Sequence, residues 1–351
     1  MKKILYLLAD NAPSTTVRAK AFQKYFAKAG FVVDYMCTFS PVLNRVISLL
    51  GPASSPARLV RKLQNKVINQ RVWSRVGSYD GIIAIKNFPG PYLQRIKQRT
   101  RAPVLYDFDD ALWLEAHFGP QIFRDVIQAA DYVSCDNEYL AERARELNPR
   151  VFVLDSPAPL DLFPSVRPPR PANGDIVLGW VGSPSTLLYL YAIYEALETI
   201  GCQYPQVRLK LVGTGEQRTL LPPFERIRFE KIAAYDQADM VTHVNDMDVG
   251  LYPLFDNELS LGRGTLKARI YMTAGVPAVC SALGDNQRLI QDGDNGFLAG
   301  SKVDWVARLS TLIESRELRE RMGHQGRKTV ESRYTGAKCF QQLLDNYLAI
   351  L

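Results

Sequence analysis

Two cations four positions apart, Arg263 and Lys267, follow an acidic loop that carries Asp256 and Glu258. All four lie in the stretch DVGLYPLFDNELSLGRGTLKARIYMTAGVPAVCSALGDNQRLIQDGDNGFL, residues 248–298. MDVGLYPL predicts a buried strand ending near Pro253, and LKARIYMTAG predicts a helix stopped by Gly275 with Pro277 just beyond. Residues four apart share a helix face, so Arg263 and Lys267 face one way while Leu266, Ile270 and Ala274 turn to the core. A cation in the first turn opposes the helix dipole by about 0.3–1 kcal/mol. A bound phosphate group removes that penalty by accepting amide and side-chain donors together. The spacing fits a diphosphate site; the plain alternative is a solvated basic face.

Two other strand ends carry groups able to do chemistry. In IVLGWVGSPSTLLYLYAIYEAL a strand runs into Gly182, Ser183, Pro184, Ser185 and Thr186 before a helix begins. Free amides and hydroxyls converging at a helix start favour an anion, and an ordinary cap with Ser183 or Ser185 as N-cap fits equally. LYDFDDALWLEAHFG places Asp107, Asp109 and Asp110 at a strand's carboxyl end, where open α/β sheets bind ligands. Three such carboxylates could ligate a metal. They could instead cap a helix or, with His117 beside them, recognise sugar hydroxyls.

The elements that must position these groups are short apolar strands alternating with helical segments, the pattern of parallel sheets wound with helices. The strands are KILYLLA, FVVDYMC, GIIAI, PVLYDF, YVSC and VFVLD, then IVLGWVG, VRLKLVG, IRFE, MDVGLYPL, VPAVCS and GFLA. Between the sets, FPSVRPPRPANGD reads as an interdomain linker near residues 163–174. Two Rossmann-like sheets facing across a cleft are expected, within a length of 351 residues that suits two domains.

Five cysteines, at 37, 135, 202, 280 and 339, are scattered and never form CxxC, so neither a disulfide framework nor a zinc site is indicated. A reducing cytoplasm fits. MKKILYLLADNAP reads as a first buried strand rather than a signal peptide, and no apolar run is long enough to span a bilayer. Residues 41–101 hold twelve Lys or Arg against one acid, Asp80. PARLVRKLQNKVINQRVW is amphipathic at helical spacing, and such a region can lie on an anionic membrane surface. A solvated face or a nucleic-acid contact are the alternatives, and no nucleic-acid module is present.

The run KARIYMTAGVPAV followed by DGDNGFL resembles the donor-binding half of the GT-B glycosyltransferases, in particular the GT4-like group 1 family. The resemblance implies a GT-B architecture: an acceptor-binding domain over residues 1–165, a nucleotide-sugar domain over 174–330, and a C-terminal helix over 331–351 that crosses back to the first domain. It implies catalytic roles for Arg263, Lys267, Glu258 and His117. Gly182, Ser183, Pro184, Ser185, Thr186, Gly213, Thr214, Asp256 and Leu266 would bind the donor, and Asn11, Arg18, Asp109 and Asp110 the acceptor. No metal or other cofactor is implied.

The sequence departs from the family's pattern where two glutamates are usual. Those positions are occupied by Gly262 and Ile270, which puts the ribose contact in doubt. The glycine pair of the first loop is replaced by Asn11, Ala12 and Pro13. The implied function is transfer of a sugar from a UDP- or GDP-sugar to a saccharide or lipid-linked acceptor, with retention, in surface polysaccharide synthesis. A nucleotide-sugar epimerase of the same fold and a non-catalytic two-lobed sugar-binding protein are the alternatives. No G-x-G-x-x-G follows the first strand, which disfavours an NAD enzyme.

Overall fold

The computed structural model describes residues 1–8, 18–37, 54–86, 88, 90–115, 118–167, 175–215 and 221–351. They divide into two compact units, Met1–Ser156 with Gly336–Leu351, and Pro157–Thr335.

The first unit holds β1 (Lys2–Leu8), β2 (Phe31–Cys37), β3 (Gly81–Ile85), β4 (Val104–Phe108), β5 (Tyr132–Cys135) and β6 (Val151–Val153). They form a parallel sheet in the order β2-β1-β3-β4-β5-β6. The second unit holds β7 (Ile176–Val181), β8 (Val207–Val212), β9 (Arg228–Ile232), β10 (Val249–Tyr252), β11 (Ala278–Ser281) and β12 (Phe297–Ala299). Its parallel order is β12-β11-β10-β7-β8-β9. All twelve strands coincide with the apolar runs read from the sequence. Strands covered by helices on both faces must be apolar on both, so β3 and β4 are buried at every residue.

The final segment belongs to the first unit because its apolar face finds a core there. In the helix Gly336–Asn346, Phe340 meets Phe26 edge to face at 5.0 Å and Phe22 at 6.0 Å. Tyr347 is fully buried, accepts the Ile82 amide at 2.9 Å and lies 2.7 Å from the Pro103 carbonyl. The division between the units falls at Ser156/Pro157, ahead of the proline-dense stretch. Ala158 and Phe163 are buried in the second unit's core, and the Ala158 amide donates to the Tyr334 carbonyl at 2.8 Å. Those two apolar residues carry the chain into the core before the proline-dense stretch that starts at Pro164.

A helix spans Ser55–Arg75 within the basic region. Residues 41–53 of that region lie outside the described residues. No helix among the described residues is long and apolar enough to cross a membrane.

Candidate functional site

Strand order decides which loops meet. β7 lies beside β10, and each of these neighbours sends its chain out at the carboxyl end of the sheet. This is a point where strand order reverses, the usual ligand position in such sheets. The turn after β7 is Gly182–Thr186; the segment after β10 leads through Asp256 and Glu258 to the helix Leu266–Thr273, which carries Lys267. Lys267 Nζ donates to Thr186 Oγ1 at 3.0 Å. It also stands 5.3 Å from the Trp180 ring centroid and 5.7 Å from that of Tyr252, within cation–π range.

The helix bearing Lys267 is fastened to both strands by one residue. Tyr271 OH accepts the Val181 amide at 2.8 Å and donates to the Leu251 carbonyl at 3.1 Å. Burial pushes that phenol well above its ordinary pKa, so it stays a neutral hydrogen-bonding strut. The helix ends as expected at Gly275, with φ of 68°. The Gly275 amide donates to the Met272 carbonyl and the Val276 amide to that of Tyr271, which is the Schellman pattern.

Arg263 differs from its expected place. The helix cap is Thr265, so Arg263 precedes the helix and shares no face with Lys267. Its amide donates to the Ser260 carbonyl at 3.1 Å, closing a turn after the short helix Glu258–Leu261. Gly262 and Gly264 around it favour a bend over a continued helix, and Tyr252 OH holds the bend through the Gly264 carbonyl at 2.7 Å. Arg263, Leu266 and Lys267 are half-buried, whereas Asp256 and Glu258 are exposed. Asn257 caps their helix by accepting the Ser260 amide at 3.0 Å. Ile270, at the family's second glutamate position, is buried in the core.

The Gly182–Thr186 turn is also corrected in detail. Its amides do not converge freely on an anion. Gly182 donates to the Val212 carbonyl at 2.9 Å, Ser183 to Thr186 Oγ1 at 3.1 Å and Thr186 to the Ser183 carbonyl at 2.9 Å, while Pro184 has no N–H. What the turn still offers a ligand is the Ser185 amide and the exposed Ser183 and Ser185 hydroxyls, 3.0 Å apart. Gly213, with φ of 87°, backs the turn so closely that a Cβ there would stand 2.2 Å from the Gly182 oxygen. Thr214 is 1% exposed and directs its hydroxyl to the Gly215 carbonyl at 3.1 Å, so it supports the turn from behind instead of facing a donor.

The first unit gathers a separate set of charges at its own strand ends. Arg18 is 5% exposed and all five of its N–H donors are used. Nε and Nη2 grip Asp107 at 2.5 and 2.9 Å, Nη1 reaches Asp136 at 2.9 Å and Ser156 Oγ at 2.7 Å, and Nη2 also reaches the Leu154 carbonyl at 3.0 Å. A guanidinium so committed has no donor left for an acceptor sugar; Arg18 ties strand ends together. Lys86, which the sequence reading passed over, pairs with Asp109 at 2.5 Å and Asp110 at 3.3 Å. These carboxylates hold the Lys86 ammonium well above its ordinary pKa although burial opposes it. Lys86 has φ of 56°, a left-handed conformation costing a non-glycine residue on the order of 1–3 kcal/mol. The three aspartates serve two different cations, and no group of metal-ligating side chains occurs among the described residues. Asn11 and His117 lie outside the described residues.

Residues 176–315 match the family model described as glycosyl transferases group 1, and both Thr186 and Lys267 fall inside that span. Over that segment the chain is similar to the group 1 glycosyl transferases. A capsular polysaccharide biosynthesis glycosyltransferase of Staphylococcus aureus, CapM, is 22% identical over 186 residues, covering 51% of this chain and 47% of the relative. Spore coat protein SA of Bacillus subtilis is 32% identical over 79 residues, 22% of this chain and 21% of that one. The chain thus matches about half, or less, of the length of these curated relatives. Among solved structures, Anabaena HepE in complex with UDP and glucose superposes with a TM-score of 0.71 at 18% identity, covering 100% of both chains. Sucrose-phosphate synthase from Thermosynechococcus elongatus gives 0.69 at 16%, also over 100% of each. The fold is GT-B, with two Rossmann-like units.

The closed hydrogen-bond set of Arg18 generates a test. Replacing Arg18 with Ala leaves Asp107 and Asp136 buried without their cation, and should cost about 3–5 kcal/mol of stability in urea unfolding. An Arg18→Ala protein of unchanged stability but raised KM for a sugar acceptor would return this residue to the acceptor site.

Proposed function

We propose that the protein is a glycosyltransferase that moves a hexosyl group from a UDP-sugar to a saccharide or lipid-linked acceptor during surface-polysaccharide synthesis, with retention of anomeric configuration. The observation that carries this reading is the junction of Lys267 with the Thr186 turn at the strand-order reversal, inside the segment matched by the family model. The UDP bound to Anabaena HepE supports the choice of base, and the capsular role of CapM supports the class of acceptor.

In this reading the bond between the anomeric carbon and the diphosphate oxygen breaks with its electron pair going to the phosphate. Lys267 and Arg263 oppose the charge that develops there, and the Ser185 amide and the Ser183 and Ser185 hydroxyls supply neutral donors. The acceptor hydroxyl oxygen forms the new bond on the face the diphosphate leaves, and its proton passes to the departing phosphate oxygen. Exposed Asp256 and Glu258 would meet the sugar hydroxyls. The basic region at 41–101 would hold the chain at an anionic lipid surface, where a lipid-linked acceptor is found.

Three measurements test the reading. Replacing Lys267 with Ala should weaken UDP binding more than tenfold in calorimetry, given about 1.5–3 kcal/mol for a hydrogen bond to a charged group, while the thermal transition survives. Unchanged affinity would assign Lys267 to a solvated face. Turnover of UDP-sugar should be the same in excess EDTA as with Mg²⁺, because protein cations supply the charge; loss on chelation with rescue by a divalent ion would overturn that. Cosedimentation should show binding to anionic but not zwitterionic vesicles, falling steeply as salt rises. No binding at low salt would make the basic region a solvated face.

A further inference from the structure

Resting on the donor reading above, we propose that Thr186 is the positioning residue that sets Lys267 for the diphosphate. Its hydroxyl has one hydrogen and two lone pairs, and the structure uses all three. It donates to the Ser183 carbonyl at 3.0 Å and accepts from the Ser183 amide at 3.1 Å and from Lys267 Nζ at 3.0 Å. One buried oxygen therefore fixes both the backbone of the turn after β7 and an ammonium that arrives from the helix Leu266–Thr273, 81 positions further along the chain.

The surroundings of that oxygen allow little slack. A Cβ at Gly182 would stand 2.8 Å from Thr186 Oγ1 and 2.2 Å from the Trp180 ring, so the hydroxyl, the glycine and the indole occupy one packed unit. The same indole lies under the Lys267 ammonium. Lysine is a flexible four-carbon stem with a compact charge, so the groups that hold its ammonium decide where the charge stands. The fixed hydroxyl keeps the charge beside the exposed Ser183 and Ser185 donors, so that a diphosphate meets a cation and neutral donors already in register. Displacement of such groups by about 1 Å is enough to lower turnover by about a hundredfold. Thr186 touches no reacting atom in this account; it acts through Lys267 and through the turn.

Thr186→Val removes the hydroxyl at nearly constant volume, and Thr186→Ser keeps it. UDP, GDP and ADP are titrated calorimetrically into the wild type, both variants and Lys267→Ala, with the thermal transition recorded for each. The expected result is that Thr186→Val weakens the best-bound diphosphate at least fivefold and Thr186→Ser stays within about twofold. A second readout is the emission of Trp180, isolated by difference against Trp180→Phe. Because Lys267 stands over that ring, Thr186→Val should change the Trp180 emission before any ligand is added, and Thr186→Ser should not. Wild-type affinity and emission in Thr186→Val would overturn the proposal, as would equal loss in Val and Ser, which marks general loosening of the turn. If Thr186→Val does not fold, the comparison of Thr186→Ser with Thr186→Ala is judged on the same terms. Loss of binding in Lys267→Ala with none in Thr186→Val removes this proposal and leaves the donor reading intact. Absence of binding to the wild type by all three diphosphates removes both.

Discussion

The parallel pairing of β7 with β10 is the constraint on which the second unit's site rests, because it sets the turn after one strand beside the helix after the other. The pairing places Gly179 opposite Gly250. A Cβ at Gly250 would stand 2.3 Å from the Tyr271 ring, and one at Gly179 only 2.0 Å from Met247. The two glycines let the helix of Tyr271 and the connection through Met247 lie directly on the sheet at this point. Tyr271, pressed onto Gly250, can then bond to both strands at once. The helix carrying Lys267 is thereby fixed in height and rotation relative to the turn carrying Thr186. A larger residue at Gly250 would lift the helix of Tyr271 and Lys267, and side chains that meet at 3.0 Å tolerate no such lift.

Arg18 and Lys86 in the first unit sit in different surroundings from Lys267 in the second. In the first, Arg18 and Lys86 are matched by carboxylates almost completely, as burial of full charges demands. Such clusters close the strand ends, and the left-handed backbone at Lys86 is tolerated because the ion pairs reward it. In the second, Lys267 is only half-buried and lies against the Thr186 hydroxyl and the rings of Trp180 and Tyr252. Neutral groups of this kind steady an ammonium without cancelling its charge.

Much of the architecture was legible in the residues themselves. The inner strands β3 and β4 show as apolar runs because a strand covered on both faces must be apolar throughout, whereas the edge strands β2 and β9 keep exposed residues. Gly275 marks the helix stop because the Schellman turn needs a left-handed residue there, and an L side chain adopts that conformation at a cost. Lys267 stood out because a cation in a first helical turn opposes the helix dipole, so its presence asks for a reason. These signals are local in sequence, since each depends on period, composition or a single backbone conformation.

Tertiary structure decided what depends on neighbours distant in the chain. Strand order is invisible to local patterning, so the meeting of Thr186 with Lys267, and of Lys86 with Asp109, could not be read from spacing. Arg18 looked available because its partners Asp107, Asp136 and Ser156 lie on other strands' ends, 89, 118 and 138 positions away. The amides of the Gly182 turn looked free because the Val212 carbonyl that takes one of them belongs to the neighbouring strand. Arg263 and Lys267 seemed to share a helix face because their spacing of four presumes a helix, and the glycines flanking Arg263 delay its start to Leu266. The sequence specifies which groups a site contains; packing determines which of their donors and charges remain for a ligand.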